Sequence, residues 1–421
     1  MATEESLPLG WEWKRLVDVA DVARGKFTHR PRNDPKFYGG EIPFVQTSDV
    51  VNSPKYLRGH SQTLSQLGLT VSRMFSENTV LMVIAGSVGA TAITKYAVAF
   101  PDSIVGITPK HGYSPEFIHH AIKSRTSHLN DIATESAQAN LSLELIAMFK
   151  LATPTPAVAN RIAYFLDTID GTIEATRAVI EQTRKLKSAL LQELLINNQK
   201  KSPKSWELTA IRDLIDPSRD LCYGVIQPGE HVSNGVPMVR VCDIENGQLD
   251  PTQLKRIDPF IALQYARSQL QGGELLVTLV GTIGRCTVAP ATAVGFNVAR
   301  AVAVAPLKST VNTRFVMHTL NSVANSLLDS GAFESARKTL NLSEFAQIQI
   351  AIPDRRQQNE ITEAVDAIEL REHGDLQVLD RLSRMKTSLS HALFTGQIAL
   401  NSGVAELQDV GNIDRKLEED D

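Results

Sequence analysis

Cysteine is scarce in this chain and poorly placed for any framework. Cys222, Cys242 and Cys286 are odd in number and confined to the second half, which excludes a disulfide scaffold. No C-x-x-C occurs, which argues against a structural zinc site and leaves the three thiols to be read as small core residues. No apolar run approaches 18 residues, so no membrane span is predicted. The acidic opening Met1–Lys14 lacks an apolar segment, so no signal peptide is expected and a reduced cytoplasm is the default compartment. Catalytic signatures are missing too. There is no G-x-x-x-x-G-K-[ST], no G-x-S-x-G, no Asn-Pro-Pro-aromatic block, and no acid-x-Lys spacing after Pro101-Asp102 or Pro353-Asp354. His119-His120 is the one adjacent histidine pair, and it reads as a solvated or half-buried helix face rather than a metal site. No catalytic residue and no metal ligand is assigned.

What is present is an ordinary globular composition: 421 residues, 43% hydrophobic and 21% charged, enough for two or three domains with real cores. The chain is also written twice. Trp11-Glu12 recurs as Trp206-Glu207 after 195 residues. Leu81-Met-Val-Ile-Ala-Gly-Ser-Val-Gly89 recurs as Leu276-Val-Thr-Leu-Val-Gly-Thr-Ile-Gly284 at the same spacing. Ile42-Pro-Phe-Val-Gln-Thr-Ser-Asp-Val50 parallels Val236-Pro-Met-Val-Arg-Val-Cys-Asp-Ile244, and Asn140-Leu-Ser142 parallels Asn341-Leu-Ser343. Pro154, Asn160, Ile162, Asp167 and Lys187 recur 199 residues on as Pro353, Asn359, Ile361, Asp366 and Lys386. A period this long is a duplicated domain, not a solenoid.

Each repeat begins with short apolar runs bounded by Gly, Ser, Asn and Pro, which read as strands, with short helices expected near Pro115–Arg125 and Thr313–Ser330. Each ends in a long helical segment. Ile162, Leu166, Ile169, Ile173, Ile180, Leu190 and Leu194 form one apolar seam at mostly 3-4 spacing; Ile361, Val365, Ile368, Leu379, Leu382, Leu389 and Leu393 form the other. Two such helices of equal length can bury each other. They are predicted to pair as an antiparallel coiled coil about 60 Å long, relating the repeats by a pseudo-two-fold. Glu372 and Asp375 flank Gly374 and predict a kink. The fold class is therefore mixed α/β (α+β) domains, duplicated and joined by two long α-helices. The expected boundaries are 1–153 and 201–352 for the globular domains, 154–200 and 353–396 for the helices, and 397–421 for an acidic, disordered tail.

A net charge of −4 seems unsuited to nucleic acid, but it is an average. Residues 1–205 hold 23 basic against 19 acidic residues, and residues 206–421 hold 20 against 28. Arg24, Lys26, Arg30, Arg32 and Lys36 crowd one Pro- and Gly-containing loop with Thr28, opposed there only by Asp34. Charge runs are often plain solvated surface, but Arg and Lys beside hydroxyl and amide side chains are also what phosphate and base-edge contact requires. Gln46, Thr47 and Ser48 are the non-matching part of a matching segment. The sparser candidates of the second repeat are Arg219, Arg240, Lys255, Arg256, Arg267, Arg285, Arg337 and Lys338. The duplicated Gly86-x-x-Gly89 and Gly281-x-x-Gly284 read as tight turns after buried strands.

The combination resembles the specificity subunit of type I restriction–modification enzymes. The resemblance covers about residues 7–400. It rests on the Gly10-Trp-Glu-Trp13 opening, Gly39-Gly-Glu-Ile-Pro-Phe-Val-Gln-Thr-Ser-Asp49, and the Asn-Leu-Ser then Pro approach to each long helix. The helix endings Leu186-Lys-Ser-Ala-Leu-Leu-Gln-Glu-Leu-Leu195 and Met385-Lys-Thr-Ser-Leu-Ser-His-Ala-Leu-Phe-Thr-Gly396 complete it. It implies target recognition domains that each read one half of a split, asymmetric double-stranded DNA site, without catalysis by this chain. It implies helices that set the spacer and dock two modification subunits, and further restriction subunits. S-adenosylmethionine, ATP and Mg are then expected on those partners and no cofactor on this chain. A protein-interaction scaffold without DNA contact is the alternative, and an unrecognised enzyme a third reading.

Overall fold

The computed structural model describes residues 7, 9–29, 31–135, 141–201, 205–245, 247–329, 339–395 and 398. Its contacts divide the chain into two units, residues 1–177 with 377–421, and residues 178–376. Each unit owns one repeat and a part of both long helices.

Each repeat is closed by a ribbon of its first and last strands. Glu12–Arg15 pairs antiparallel with Lys150–Thr153, and Glu207–Ala210 with Gln349–Ile352. The ribbon hands the chain straight to a long helix, Pro156–Leu191 in one case and Arg355–Phe394 in the other.

Inside the first unit, Ala20–Arg24, Ile104–Pro109, Val80–Val83 and Thr91–Ile93 form an antiparallel sheet in that order. Strand side chains alternate between faces. Val80 and Met82 accordingly enter one core with Phe117, Ile118 and Ile122, while Leu81 and Val83 enter another with Phe100 and Ile104. A sheet covered on both faces needs a continuous apolar run, and that is how residues 80–84 read. The second unit repeats the device. Its sheet runs Cys222–Tyr223, Val302–Ala305, Leu275–Thr278, Cys286–Val288; Leu275 and Val277 face one core and Leu276 the other.

A second sheet differs between the units. The first has four strands, Gln62–Leu64, Tyr38–Phe44, Val98–Ala99 and Met74–Phe75, over a cluster of Phe27, Phe37 and Phe44. The second has three, Lys255–Ile257, Val236–Val239 and Asn297–Val298. The matched aspartates of the two segments are caps. Asp49 accepts the Gln46 N–H at 2.8 Å, and Asp243 accepts the Arg240 N–H at 2.7 Å.

The expected short helices are Pro115–Ser124 and Thr313–Asp329. Ser114 caps the first by accepting the Phe117 N–H, with Pro115 in the first turn, where its missing donor costs nothing. All four glycines of the duplicated Gly-x-x-Gly turns have φ between 80° and 84°, a left-handed conformation that side chains resist.

The two long helices run antiparallel within each unit. In the first, Asp170 pairs with Lys386, and Ile162 and Leu166 share a core with Leu389 and Leu393. In the second, Arg184 pairs with Glu372 and Lys187 with Glu369: three residues forward on one helix match three back on the other. Ile162, Leu166, Ile169, Ile173, Ile180, Ile361, Val365 and Leu393 are buried; Leu190, Leu194, Ile368, Leu379, Leu382 and Leu389 are half-buried. The seam residues nearest the globules serve two purposes, since Ile162, Leu166 and Leu393 join the first globular core and Ile361 the second.

The helix Arg355–Phe394 passes through Gly374 unbroken, without the expected kink. Its acids are ion-paired instead: Glu372 accepts from Arg184 at 2.7 Å and Asp375 from Arg371 at 2.9 Å. The first long helix changes its winding where regular helix was expected, becoming π-helical over Gln192–Asn197. The acidic tail, apart from Ile398, lies outside the described residues. No helix among the described residues is long and apolar enough to cross a membrane.

Candidate nucleic-acid interface

The first unit gathers part of the basic loop onto one edge. Arg24 donates from Nε to the Asp102 carbonyl at 2.5 Å, and Arg32 reaches both Asp102 carboxylate oxygens at 2.7 and 2.9 Å. Lys26 is exposed, and its carbonyl accepts the Ser72 hydroxyl at 2.8 Å. That contact brings in Arg73, an exposed cation that the sequence reading passed over. It stands alone in sequence, 47 residues from Lys26, and only the Phe27–Ser72 bridge reveals the neighbourhood. Thr28 is exposed, with its backbone N–H on the Val71 carbonyl. Lys36 turns back onto Asp34 at 3.0 Å and over the Phe37 ring. Arg30 lies outside the described residues.

Beside this edge, the Gln46 amide donates to the Gln62 carbonyl oxygen at 3.0 Å, and His60 Nδ1 lies 3.2 Å from the Tyr96 hydroxyl. Ser48 is exposed and Thr47 half-buried. Gln62, His60 and Tyr96 were not singled out from sequence; they come from three separate segments.

In the second unit several candidate cations have structural duties. Arg219 pairs at 2.8 Å with Glu274, a carboxylate buried to 2% exposure. Arg240 holds Asp243 through two bonds of 3.0 and 2.7 Å. Arg285, half-buried, donates to the Ile244 carbonyl at 3.4 Å. Lys255 and Arg256 converge on the loop that matches the first unit's basic loop, donating to the carbonyls of Gly229 and Gly235. Arg300, another exposed cation missed in sequence, joins them through its N–H on the Val225 carbonyl. Arg267 is exposed, while Arg337 and Lys338 lie outside the described residues.

Two thiols are buried, Cys222 and Cys286, and burial pushes both upward in pKa. Cys242 departs from its reading as a core residue: it is exposed, 3.5 Å from an Asp243 oxygen, because it sits on the outer side of the capped turn.

The histidine pair departs from its reading further. His119 and His120 are buried to 1% and 2% exposure. His119 Nδ1 meets the Thr91 hydroxyl at 3.0 Å, and burial holds its pKa well below 6.5. His120 Nε2 meets Asp167 at 2.8 Å. In the second unit His318 Nε2 meets Asp366 at 2.9 Å. A second acid follows three residues on in both helices, so His120, Asp167 and Asp170, and again His318, Asp366 and Glu369, bring three ligand-type atoms within 4.8 Å. The carboxylates already carry cations. Lys55 and Lys386 hold Asp167 and Asp170 at 2.8 and 2.5 Å; Arg314 and Lys187 hold Asp366 and Glu369 at 2.7 and 2.8 Å. Their negative charge is neutralised from within the chain. Burial alone would raise the Asp167 and Asp366 carboxyls, but these hydrogen bonds outweigh it and hold both below 3.8.

Known proteins share this arrangement. The family described as Type I restriction modification DNA specificity domain matches residues 8–183. The specificity subunit of the type I restriction enzyme EcoBI, from Escherichia coli, is 30% identical over 317 residues, which span 68% of this chain and 66%, just under two thirds, of that protein. The crystal structure of a type I restriction–modification S subunit from M. genitalium superposes with a TM-score of 0.60 at 13% identity, covering 94% of this chain and 97% of that one. A chain from a structure on complex assembly and conformational transition of the type I R-M system gives 0.59 at 14% identity, covering 93% and 100%. At such identities the two structures speak for the fold. Sequence and fold together place this chain in the family of type I restriction–modification specificity subunits.

Proposed function

We propose that this chain is the non-catalytic DNA-specificity subunit of a type I restriction–modification complex, each globular unit reading one half of a split, asymmetric site. The observation that carries this is one scaffold presenting two unlike edges. Both units place cations around the same loop, but the first offers Arg24, Lys26, Arg32 and Arg73 beside Gln46 and Gln62, and the second offers Lys255, Arg256 and Arg300. Lys and Arg on phosphates position a reader, and amide side chains on base edges specify.

Two modification subunits fit a second duplicated feature. Val179 and Leu186 are exposed apolar residues one heptad apart in the second unit; Val378 and Met385, 199 residues on, are their counterparts in the first. One apolar pair per unit suits two copies of one partner. Restriction subunits would complete the cytoplasmic assembly, with S-adenosylmethionine, ATP and Mg on the partners.

The test is binding of a duplex carrying the site by the complex with modification subunits, across a salt series. The logarithm of affinity should fall linearly with the logarithm of salt, by about 0.9 per phosphate contact. Affinity indifferent to salt would contradict the reading.

A further inference from the structure

We propose that the duplicated histidine–carboxylate–lysine clasp is a positioning element: it fixes the angle at which each globule leaves the helix pair, and through that angle the spacer length the protein accepts. The inference rests on the proposed reading of a split site.

One clasp joins three elements of a unit. In the first, His120 comes from the globule, Asp167 and Asp170 from one long helix, and Lys386 from the other. In the second, the same parts are His318, Asp366 with Glu369, and Lys187. Acids three residues apart lie on one helix face, so one faces the globule's histidine while the next faces the partner helix. The extra cation on the outer aspartate comes from different places, Lys55 on a loop and Arg314 on the histidine's own helix. Dissimilar residues thus deliver one charge to one point.

The surrounding apolar contacts hold the elements together but are non-directional, so they tolerate small rotations. Hydrogen bonds between charged groups do not: they weaken steeply off axis and are the stronger kind. Both histidines are almost fully buried, so a rotated globule would leave a polar ring without its acceptor. A clasp of this kind specifies an angle more than it adds adhesion. Both long helices run through both units, so an angle set in each unit enters the distance between half-sites.

The experiment uses the complex with modification subunits. Asp167→Asn and Asp366→Asn, singly, are compared with the wild type on duplexes carrying both half-sites at a series of spacer lengths, with methylation as the readout and thermal unfolding as the fold control. The wild type should prefer one spacer. Each variant should methylate the same half-sites while its preference for that spacer over the next length falls about tenfold. Should an Asn variant fail to fold, Lys386→Ala and Lys187→Ala remove a less buried arm and carry the same expectation. Folded variants that keep the wild-type spacer preference would overturn the inference. A wild-type complex with no split-site preference would instead overturn the underlying reading.

Discussion

In the first unit the strand Tyr38–Phe44 runs into a one-turn helix, Thr47–Val51; in the second, the matching strand Val236–Val239 runs into a three-residue turn and the hairpin Ile244–Leu249. The same contrast recurs at the neighbouring edge, where Asp102 ties two arginines in one unit and Arg300 adds a free-standing charge in the other. Nearer the helices the contrast vanishes. The closing ribbons, the sheet buried on both faces, the Gly-x-x-Gly turns and the clasps are common to both units. The molecule keeps its anchoring parts alike and varies its outer edges, the division of labour that two readers on one support require.

The largest expected effect tests whether the anchoring is truly shared yet local. Leu166 and its counterpart Val365 are both fully buried. Leu166→Ala should cost about 2–5 kcal/mol and Val365→Ala less, each destabilising its own unit, as followed by urea unfolding with a probe in each unit. Equal loss in both units from either change would break the comparison.

Next comes the outer edge. Replacing Lys26, Arg32 and Arg73 together by Ala should lower DNA affinity and reduce the salt slope by up to about 3, one per lost phosphate contact, with the second half-site preference intact. The pair Arg256→Ala and Arg300→Ala should do the converse. Loss of both half-site preferences from one set would show that the edges are not separate readers.

A third, smaller effect concerns acid. Burial lowers the pKa of His119 and His318 in the folded protein, so protonation favours the unfolded chain. Stability should be fully present above pH 6.5 and fall as the pH drops below it, with a further loss below about pH 4 as Asp167 and Asp366 protonate. His119→Gln should flatten the first of these losses for one unit and His318→Gln for the other, read as melting temperature against pH. The smallest effect is expected for Arg184→Ala on the outer surface of the helix pair. Its guanidinium is half-exposed, so the loss should stay within about 1 kcal/mol despite the 2.7 Å bond to Glu372.

Much of the anchoring plan was legible in sequence because it is written in local patterns. The continuous apolar run at residues 80–84, the glycines after it, and the 3-4 spacing from Ile162 to Ile180 each point to their own structure. The edges were less legible because their meaning lies in distant partners. Arg219 reads as a surface cation until Glu274, 55 residues on, proves to be its buried acceptor. Arg73 and Arg300 read as isolated charges until the fold sets them beside the loops. Asp167, Asp366, Lys187 and Lys386 were visible as repeats, but the histidines that give them a purpose lie 47 and 48 residues before the aspartates.

The central claim is that two unlike edges on one support read two halves of a split site. Mapping methylated adenines across the genome of cells with and without this gene tests it most directly. The account predicts that the gene-dependent sites share one motif of two unlike half-sites separated by a fixed gap of unspecified bases. A single continuous motif, or no gene-dependent methylation in cells that make the partner subunits, would contradict it.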